Sequence, residues 1–235
     1  MPASIYLFGE SVLLYHLFPI LALAVFLILG NILGKTYSFG VLKRIFYVLL
    51  TVALRSGLLT ITSYIIGGGE YSGVNHVRIV VILPFVLLPI TLLLKDDFWK
   101  VTDFIVPLLS IYHGIVCVGC IFTGCCHGYP STWGLFSNQA GTICFPIQPI
   151  EIMVYILIGV VLLYMTKKKL QPGRLYAWYL VMFGFSRFFL EYLRDDKKIF
   201  IGLSEYAIEA LVALLVGAVG VCVINSLHKR RKKIV

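Results

Sequence analysis

The sequence has little charge. Only 13% of its 235 residues are Asp, Glu, Lys or Arg, whereas 60% are hydrophobic. A soluble domain of this length cannot bury that much apolar surface, so the composition excludes one. The apolar residues do not follow the strict alternation of membrane strands, which argues against a β-barrel. The predicted fold is therefore all-α, a polytopic membrane protein.

Negative charge is scarcer than positive charge. The chain has 11 acidic residues against 20 Lys and Arg, and its net charge is +9. Much of the excess lies at residues 167–169 and 229–233, beside apolar runs. This is the positive-inside pattern, so we expect contact with anionic lipids and no nucleic-acid partner. The pattern predicts the N-terminus outside and the C-terminus in the cytoplasm.

Seven apolar runs are long enough to be helical spans. They cover residues 12–33, 41–66, 77–94, 101–122, 150–165, 175–193 and 207–224. Pro84, Pro89 and Pro107 lie inside these runs and predict kinks. We expect no cleaved signal peptide, because the amino terminus lacks a basic segment. With no repeat and no linker, residues 1–235 are predicted to form a single domain.

Three charged residues lie within the sixth run or directly after it. Arg187, Glu191 and Arg194 are spaced i, i+4 and i+7, so a helix places them on one face. A charge at the bilayer centre costs at least ~2.5–3.5 kcal/mol, so these charges need a partner or a function. One interpretation is an ion pair at a helix end, with the arginines reaching the headgroups. The other is an anion site, because two arginines against one glutamate leave a surplus positive charge.

Five of the six cysteines lie within one segment. They are Cys117, Cys120, Cys125, Cys126 and Cys144. Three interpretations remain open. The cysteines and nearby glycines can be small residues that allow close helix packing. Cys120, the Cys125-Cys126 pair and His127 can bind zinc, although their spacing fits no standard pattern. The third is a redox pair formed by Cys117 and Cys120.

Four segments give the chain a resemblance to a known family. They are Gly173-Arg174 followed by Tyr179, Gly184-x-x-Arg187-Phe188-x-x-Glu191-x-x-Arg194; residues 97–107; Gly119-Cys120-Ile121-Phe122-x-Gly124-Cys125-Cys126-His127-Gly128-x-Pro130 with Trp133-Gly134; and Tyr15. With these segments the chain resembles the bacterial prolipoprotein diacylglyceryl transferases. It departs from them where Cys117, Cys120 and Cys125 replace the family's arginine, asparagine and glutamate. The family's loop histidine is replaced near Ser72 or displaced to His76.

The resemblance implies an activity and its partners. The expected reaction transfers a diacylglyceryl group from phosphatidylglycerol to the lipobox cysteine of prolipoprotein signal peptides, in lipoprotein biosynthesis. It implies a place among the lipids of the bacterial plasma (inner) membrane, with no cofactor and no metal. We also expect a monomer, because seven spans with kinked helices can hold a lipid within one chain. Two alternatives are a catalytically altered or inactive paralogue that binds lipid, and a membrane thiol–disulfide protein using Cys117 and Cys120.

The resemblance and the charge pattern together suggest site residues. The catalytic candidates are Arg187, Glu191, His76 and Tyr15. The candidates for binding the lipid or its phosphate are Arg194, Arg55, Arg78, Gly119, Cys120, Gly124, Cys125 and Gly128. Glu191 is expected to orient Arg187 through a charge-assisted hydrogen bond. The glycines are expected to let the loop backbone lie close to the lipid headgroup.

Overall fold

Seven helices account for most of the described residues. A computed structural model describes residues 4–7, 10–66, 76–168, 170–195 and 198–234. Its helices are α1 (Leu14–Thr36), α2 (Val41–Ile66), α3 (His76–Leu93), α4 (Phe98–Thr123), α5 (Ile147–Thr166), α6 (Arg174–Glu191) and α7 (Glu205–Ile234). One helix forms at each of the seven apolar runs, because a helix satisfies its backbone polar groups internally.

Four helical segments are long and apolar enough to cross a membrane. Within the described residues they are Leu17–Thr36, Phe98–Thr123, Ile147–Thr166 and Glu205–Leu227. A fifth segment, Arg78–Leu93, is apolar but shorter. The number of spans and the orientation of the termini therefore stay predictions.

Short strands correct the expectation of an all-α chain. In the described ranges, three two-stranded antiparallel sheets pair β1 (Ser4–Leu7) with β2 (Glu10–Leu13), β3 (Pro130–Ser137) with β4 (Thr142–Cys144), and β5 (Lys198–Phe200) with β6 (Leu203–Ser204). They lie before α1 and in two connections between helices, where the backbone needs partners outside a helix. The described chain is thus mostly helical, with strands too short to be visible as a sequence pattern.

Several helix ends differ from the predicted runs by two or more residues, among them the start of the first helix and the end of the last. The first helix begins at Leu14 rather than residue 12, because Glu10–Leu13 pairs with β1. The last helix continues to Ile234, well past the predicted end at residue 224. The basic residues near the C-terminus therefore extend the helix instead of following it.

The core is built around α4. Most of this helix is buried, and Phe104, Leu108 and Leu109 are each at most 1% exposed. The outer helices instead expose large apolar side chains, including Leu42 (84%) and Leu93 (82%). A soluble protein rarely leaves so much apolar surface in contact with water, so these surfaces are suited to lipid.

A buried carboxylate in α4 holds the start of α6. Asp103 accepts hydrogen bonds from the backbone N–H of Gly173 at 2.7 Å and of Tyr176 at 3.0 Å. The first N–H groups of a helix have no partner within the helix, so Asp103 caps α6 from another element. These hydrogen bonds fix the position of the N-terminal end of α6 along α4.

Two glycines let α6 and α7 cross at very short range. A Cβ added to Gly184 would lie 2.6 Å from the carbonyl oxygen of Ala210 and 2.6 Å from the backbone nitrogen of Leu214. A Cβ on Gly217 would lie 2.7 Å from the backbone nitrogen of Val181. Small residues of this kind allow close approach of helices in membranes. The crossing sets which face of α6 points inward, and that face contains Arg187.

Candidate active site

Four buried charged side chains form one network between α5 and the end of α6. Glu151 Oε1 accepts from Arg187 Nη1 at 2.6 Å and from Arg194 Nη1 at 2.9 Å. Glu191 Oε2 lies 2.7 Å from Arg187 Nη2 and 3.9 Å from Arg194 Nε. All four residues are at most 9% exposed. Each arginine thus contacts both carboxylates, and the side chains hold one another in place.

Glu151 changes the charge balance predicted from the sequence. The predicted face had two arginines and one glutamate, but the folded network has two of each. Within the part of the chain that the structure describes, the four charges of this network therefore balance, and both arginines are buried rather than reaching outward to the headgroups. The predicted orientation of Arg187 by Glu191 is present at 2.7 Å. A lone glutamate at the start of an apolar run was the sequence signal for Glu151.

The hydroxyl of Ser204 supports the network from the other side. It donates to Glu191 Oε1 at 2.7 Å, and Ser204 Oγ in turn accepts a hydrogen bond from the backbone N–H of Ala207 at 3.1 Å. The side chain of Arg187 also lies over the ring of Tyr206, with Cζ 5.8 Å from the ring centroid. These contacts tie the start of α7 to the charged cluster.

A stacked histidine pair lies nearby. The rings of His76 and His113 are parallel within 4° and their centroids are 3.7 Å apart. His76 Nε2 is 3.4 Å from the hydroxyl of Tyr179, and His113 Nε2 is 3.7 Å from Cys117 Sγ. Each Nδ1 atom is buried and has no hydrogen-bond partner among the described residues. Two imidazoles with free nitrogen atoms can accept or relay a proton.

His113 was not predicted as a site residue. It lies in the apolar stretch of α4, almost three turns before the helix ends, and its ring contacts Tyr155 with centroids 4.6 Å apart. The sequence signal was a histidine within a membrane-length run, which by default marks a functional position. Its pairing with His76 depends on the packing of α3 against α4.

The two helper arginines have different surroundings. Arg55 in α2 is 7% exposed and lies over the ring of Tyr112, with Cζ 5.1 Å from the centroid. Its Nε has no hydrogen-bond partner in the described part of the chain. Arg78 instead forms ion pairs with Glu205 and Glu209 of α7. The structure therefore leaves Arg55, and not Arg78, as a buried cation without an ion pair among the described residues.

The cysteine-rich loop turns back on the end of α4. The helix ends at Gly124, whose φ is 70°, and Cys126 follows with φ 56°. The Sγ atoms of Cys120, Cys125 and Cys126 all lie within 4.8 Å of one another. Hydrogen bonds with Cys120 and Cys125 hold the pKa of Cys126 well below its ordinary value. Hydrogen bonds with Cys120 and Cys126, together with burial, raise the pKa of Cys125. No disulfide joins the described cysteines.

Two loop glycines are crowded by protein backbone. A Cβ on Gly124 would lie 2.5 Å from the nitrogen of Asn138, and one on Gly128 would lie 2.7 Å from the oxygen of Phe145. Gly128 also forms a backbone bridge with Arg194. The glycines therefore fit the loop between the β3–β4 hairpin and the end of α6. Gly119 lies within α4 and is buried.

Two predicted features lie outside the part of the chain that the structure describes. The side chain of Tyr15 is not described, although its backbone belongs to α1. The glycine-rich segment of residues 67–75, which includes Ser72, is outside the described residues as well. His127 is described, but its Nδ1 lies 3.1 Å from the carbonyl oxygen of Gly128 and it is not grouped with the three thiols.

These observations define a class of protein, an apolar helical bundle that gathers charged, imidazole and thiol groups in its interior. A family model described as prolipoprotein diacylglyceryl transferase matches residues 9–225. The chain therefore belongs to the prolipoprotein diacylglyceryl transferase family.

Curated relatives have the same family name. The chain is 26% identical over 145 residues to phosphatidylglycerol–prolipoprotein diacylglyceryl transferase 2 of Clostridium perfringens, which covers 59% of this chain and 57% of the relative. It is 26% identical over 136 residues to the enzyme of Clostridium tetani, covering 55% and 54%. It is 40% identical over 68 residues to that of Streptococcus uberis, covering 29% and 25%. The aligned chain thus spans little more than half the length of the first two relatives.

Proposed function

We propose that this protein transfers a diacylglyceryl group from phosphatidylglycerol to the cysteine thiol of a prolipoprotein signal peptide. The observation that supports this most directly is the buried network of Arg187, Glu151, Glu191 and Arg194 beside the stacked histidines. Family membership points to the same reaction. It does not favour the lipid-binding paralogue or the thiol–disulfide protein.

The reaction places two demands on the site. The acceptor thiol, whose free pKa is about 8.5, must lose its proton, because the thiolate is the nucleophile. The thiolate then attacks the C3 carbon of the diacylglyceryl group, and glycerol phosphate leaves with the electrons of the broken C–O bond. The departing group gains a second negative charge, which preorganised cations stabilise most strongly in a water-excluded site.

Charge counting supports Arg55 as the phosphate anchor. Among the described residues the two arginines and two glutamates of the network cancel and Arg55 has no ion pair, so Arg55 contributes the excess positive charge. That single charge matches the one negative charge of the phosphodiester in phosphatidylglycerol. Arg187 and Arg194 are held rigidly by both carboxylates, so they supply oriented N–H groups with little reorganisation. In this scheme Glu151 and Glu191 are positioning residues.

The histidine pair supplies the proton acceptor. His76 is the base, and His113 orients its ring by stacking at 3.7 Å. The hydroxyl of Tyr179, 3.4 Å from His76 Nε2, fixes one nitrogen and leaves Nδ1 to accept the proton. Tyr15 donates a hydrogen bond to the lipid, as the family resemblance implies.

Residues 1–235 form one domain that acts as a monomer in the bacterial plasma (inner) membrane. All seven helices span the bilayer, with the N-terminus outside and the C-terminus in the cytoplasm. The exposed apolar side chains of the outer helices support this arrangement. So do the basic residues at the end of α7.

The test is turnover in detergent. Purified protein, a lipobox peptide and phosphatidylglycerol are mixed, and mass spectrometry detects a diacylglyceryl adduct on the peptide cysteine. Arg55→Gln removes the anchoring charge and should lower the rate about 10²–10³-fold, the usual cost of losing one donor to a developing charge. Arg44→Gln is the matched control, because Arg44 lies on the same helix but bonds Phe39 and Asn31. The absence of any adduct with the unmodified chain would contradict the proposed function.

A further inference from the structure

Three thiols converge just past the end of α4. Cys120 is in the last turn of the helix, and Cys125 and Cys126 follow the reversal at Gly124. Their Sγ atoms lie within 4.8 Å of one another, and all three residues are partly buried. The positive φ of Cys126, 56°, is unusual for a residue with a side chain. The loop thus holds an uncommon backbone conformation while the three sulfur atoms face the same space.

The surrounding structure fixes this arrangement. Ser137 Oγ donates to the carbonyl of Gly124 at 2.6 Å, and Gln148 Nε2 donates to the carbonyl of Cys125 at 3.0 Å. The hydroxyl of Thr123 lies 3.1 Å from Cys125 Sγ. The loop is therefore anchored to the hairpin and to α5, and the thiols are organised before any ligand binds.

The spacing suits a soft divalent metal ion. A zinc ion binds thiolates at about 2.3 Å, which places tetrahedral sulfur atoms about 3.8 Å apart. The three Sγ atoms already lie within 4.8 Å of one another, so each pair needs to contract by at most about 1 Å to reach that value. No other described His, Cys, Asp or Glu belongs to the group. Three protein ligands with one vacant position is the composition of a catalytic zinc site, whereas structural sites have four.

We propose that Cys120, Cys125 and Cys126 bind one zinc ion and leave its fourth position for the acceptor thiol of the substrate peptide. This inference rests on the proposed function, and it replaces the expectation from sequence that the chain binds no metal. The guanidinium of Arg194 lies beside Cys126 and would offset the negative charge of a zinc ion with three thiolates. Arg194 also joins this site to Glu151.

The metal gives the transfer a route to its nucleophile. The peptide thiol would bind zinc as a thiolate, because a coordinating thiol is deprotonated outright, and its proton would pass to His76, the base of the proposed function. The bound sulfur attacks C3 of the diacylglyceryl group, and a C–S bond forms while the C–O bond to phosphate breaks. Glycerol phosphate departs with the electron pair and one added negative charge, which balances the released proton. The thioether product is neutral and leaves the metal, so the site is free for another peptide.

The first test measures metal content. Protein purified without a polyhistidine tag should contain about one zinc per chain, because the three thiolates provide one site. Each of Cys120→Ser, Cys125→Ser and Cys126→Ser should lose the metal, compared in the monodisperse fraction of each preparation. Cys222→Ser is the matched control, since Cys222 is exposed on α7, and it should keep the zinc. Zinc-free protein, or a disulfide among the three thiols in its place, would overturn the proposal.

The second test examines the vacant position. Co²⁺ replaces zinc, and its thiolate charge-transfer absorption should rise by about one third when a lipobox cysteine peptide raises the thiolate count from three to four. The same peptide with serine should leave the spectrum unchanged. If the cysteine peptide leaves the charge-transfer absorption unchanged, coordination of the substrate thiol is refuted. Transfer activity in zinc-free protein would overturn the zinc proposal and leave the proposed function intact. Binding of the peptide cysteine to the metal without turnover would support the metal site and contradict the proposed transfer.

Discussion

Replacing Glu151 with glutamine tests whether the charged network holds the bundle together. Glu151 Oε1 accepts from both Arg187 and Arg194, and its side chain is 4% exposed. Glutamine keeps the shape but removes the negative charge, which leaves two buried arginines with Glu191 alone. Removing one partner of a buried ion pair costs about 3–5 kcal/mol of folding stability. At about 2–4 °C per kcal/mol for a chain of this size, the melting temperature in detergent should fall by about 6–20 °C.

The matched control is Glu205→Gln. Glu205 also pairs with an arginine, Arg78, but its side chain is 47% exposed. An exposed ion pair contributes at most about 1 kcal/mol, so this variant should melt within about 4 °C of the parent. The double variant Glu151→Gln/Arg194→Gln should recover part of the loss, because it removes one uncompensated charge. Equal melting temperatures for Glu151→Gln and Glu205→Gln would refute the reasoning.

Three further measurements probe other parts of the structure. Gly184→Ala should destabilise the fold by about 1–3 kcal/mol, because the added methyl group would clash with the backbone of α7. In Gly57→Ala the added methyl group has no neighbour within 4 Å, so this variant should stabilise α2 by up to about 1 kcal/mol. Thermal unfolding of both variants distinguishes the two sites. Burial alone would raise the pKa of Asp96, but hydrogen bonds from Lys43 and Tyr47 outweigh it and hold that pKa below its usual value. A lowered folded-state pKa stabilises the protein above the unfolded pKa of about 3.9, and this stability is lost as the pH falls through the folded pKa. The melting temperature of the parent should therefore fall more steeply below about pH 4 than that of Asp96→Asn, and parallel curves would contradict the assignment. Alkaline phosphatase, active only outside the cytoplasm, should be active when fused after Gln139 and inactive at the C-terminus; the reverse pattern would invert the topology.

The sequence determined the helices, because they depend on local properties. Continuous apolar runs require internal backbone hydrogen bonding, so all seven helices form where the hydropathy is high. The contact between Arg187 and Glu191 is local too, since helical geometry brings residues four apart together. The short strands were not predictable, because two to eight paired residues in a loop leave no distinct periodicity.

Only the tertiary structure decided which distant groups meet. Glu151 reaches the arginines because α5 packs beside α6, and His113 stacks on His76 because α3 packs against α4. No spacing rule relates residues on separate helices, so the second carboxylate and the histidine pair were missed. For the same reason Arg78 was grouped with Arg55, although Arg78 forms ion pairs with Glu205 and Glu209. Local periodicity determines which residues share a helix face. The packing of helices, for example of Gly184 in α6 against the backbone of α7, determines what that face contacts. The residues of the site are therefore visible in the sequence, whereas their arrangement is a property of the folded bundle.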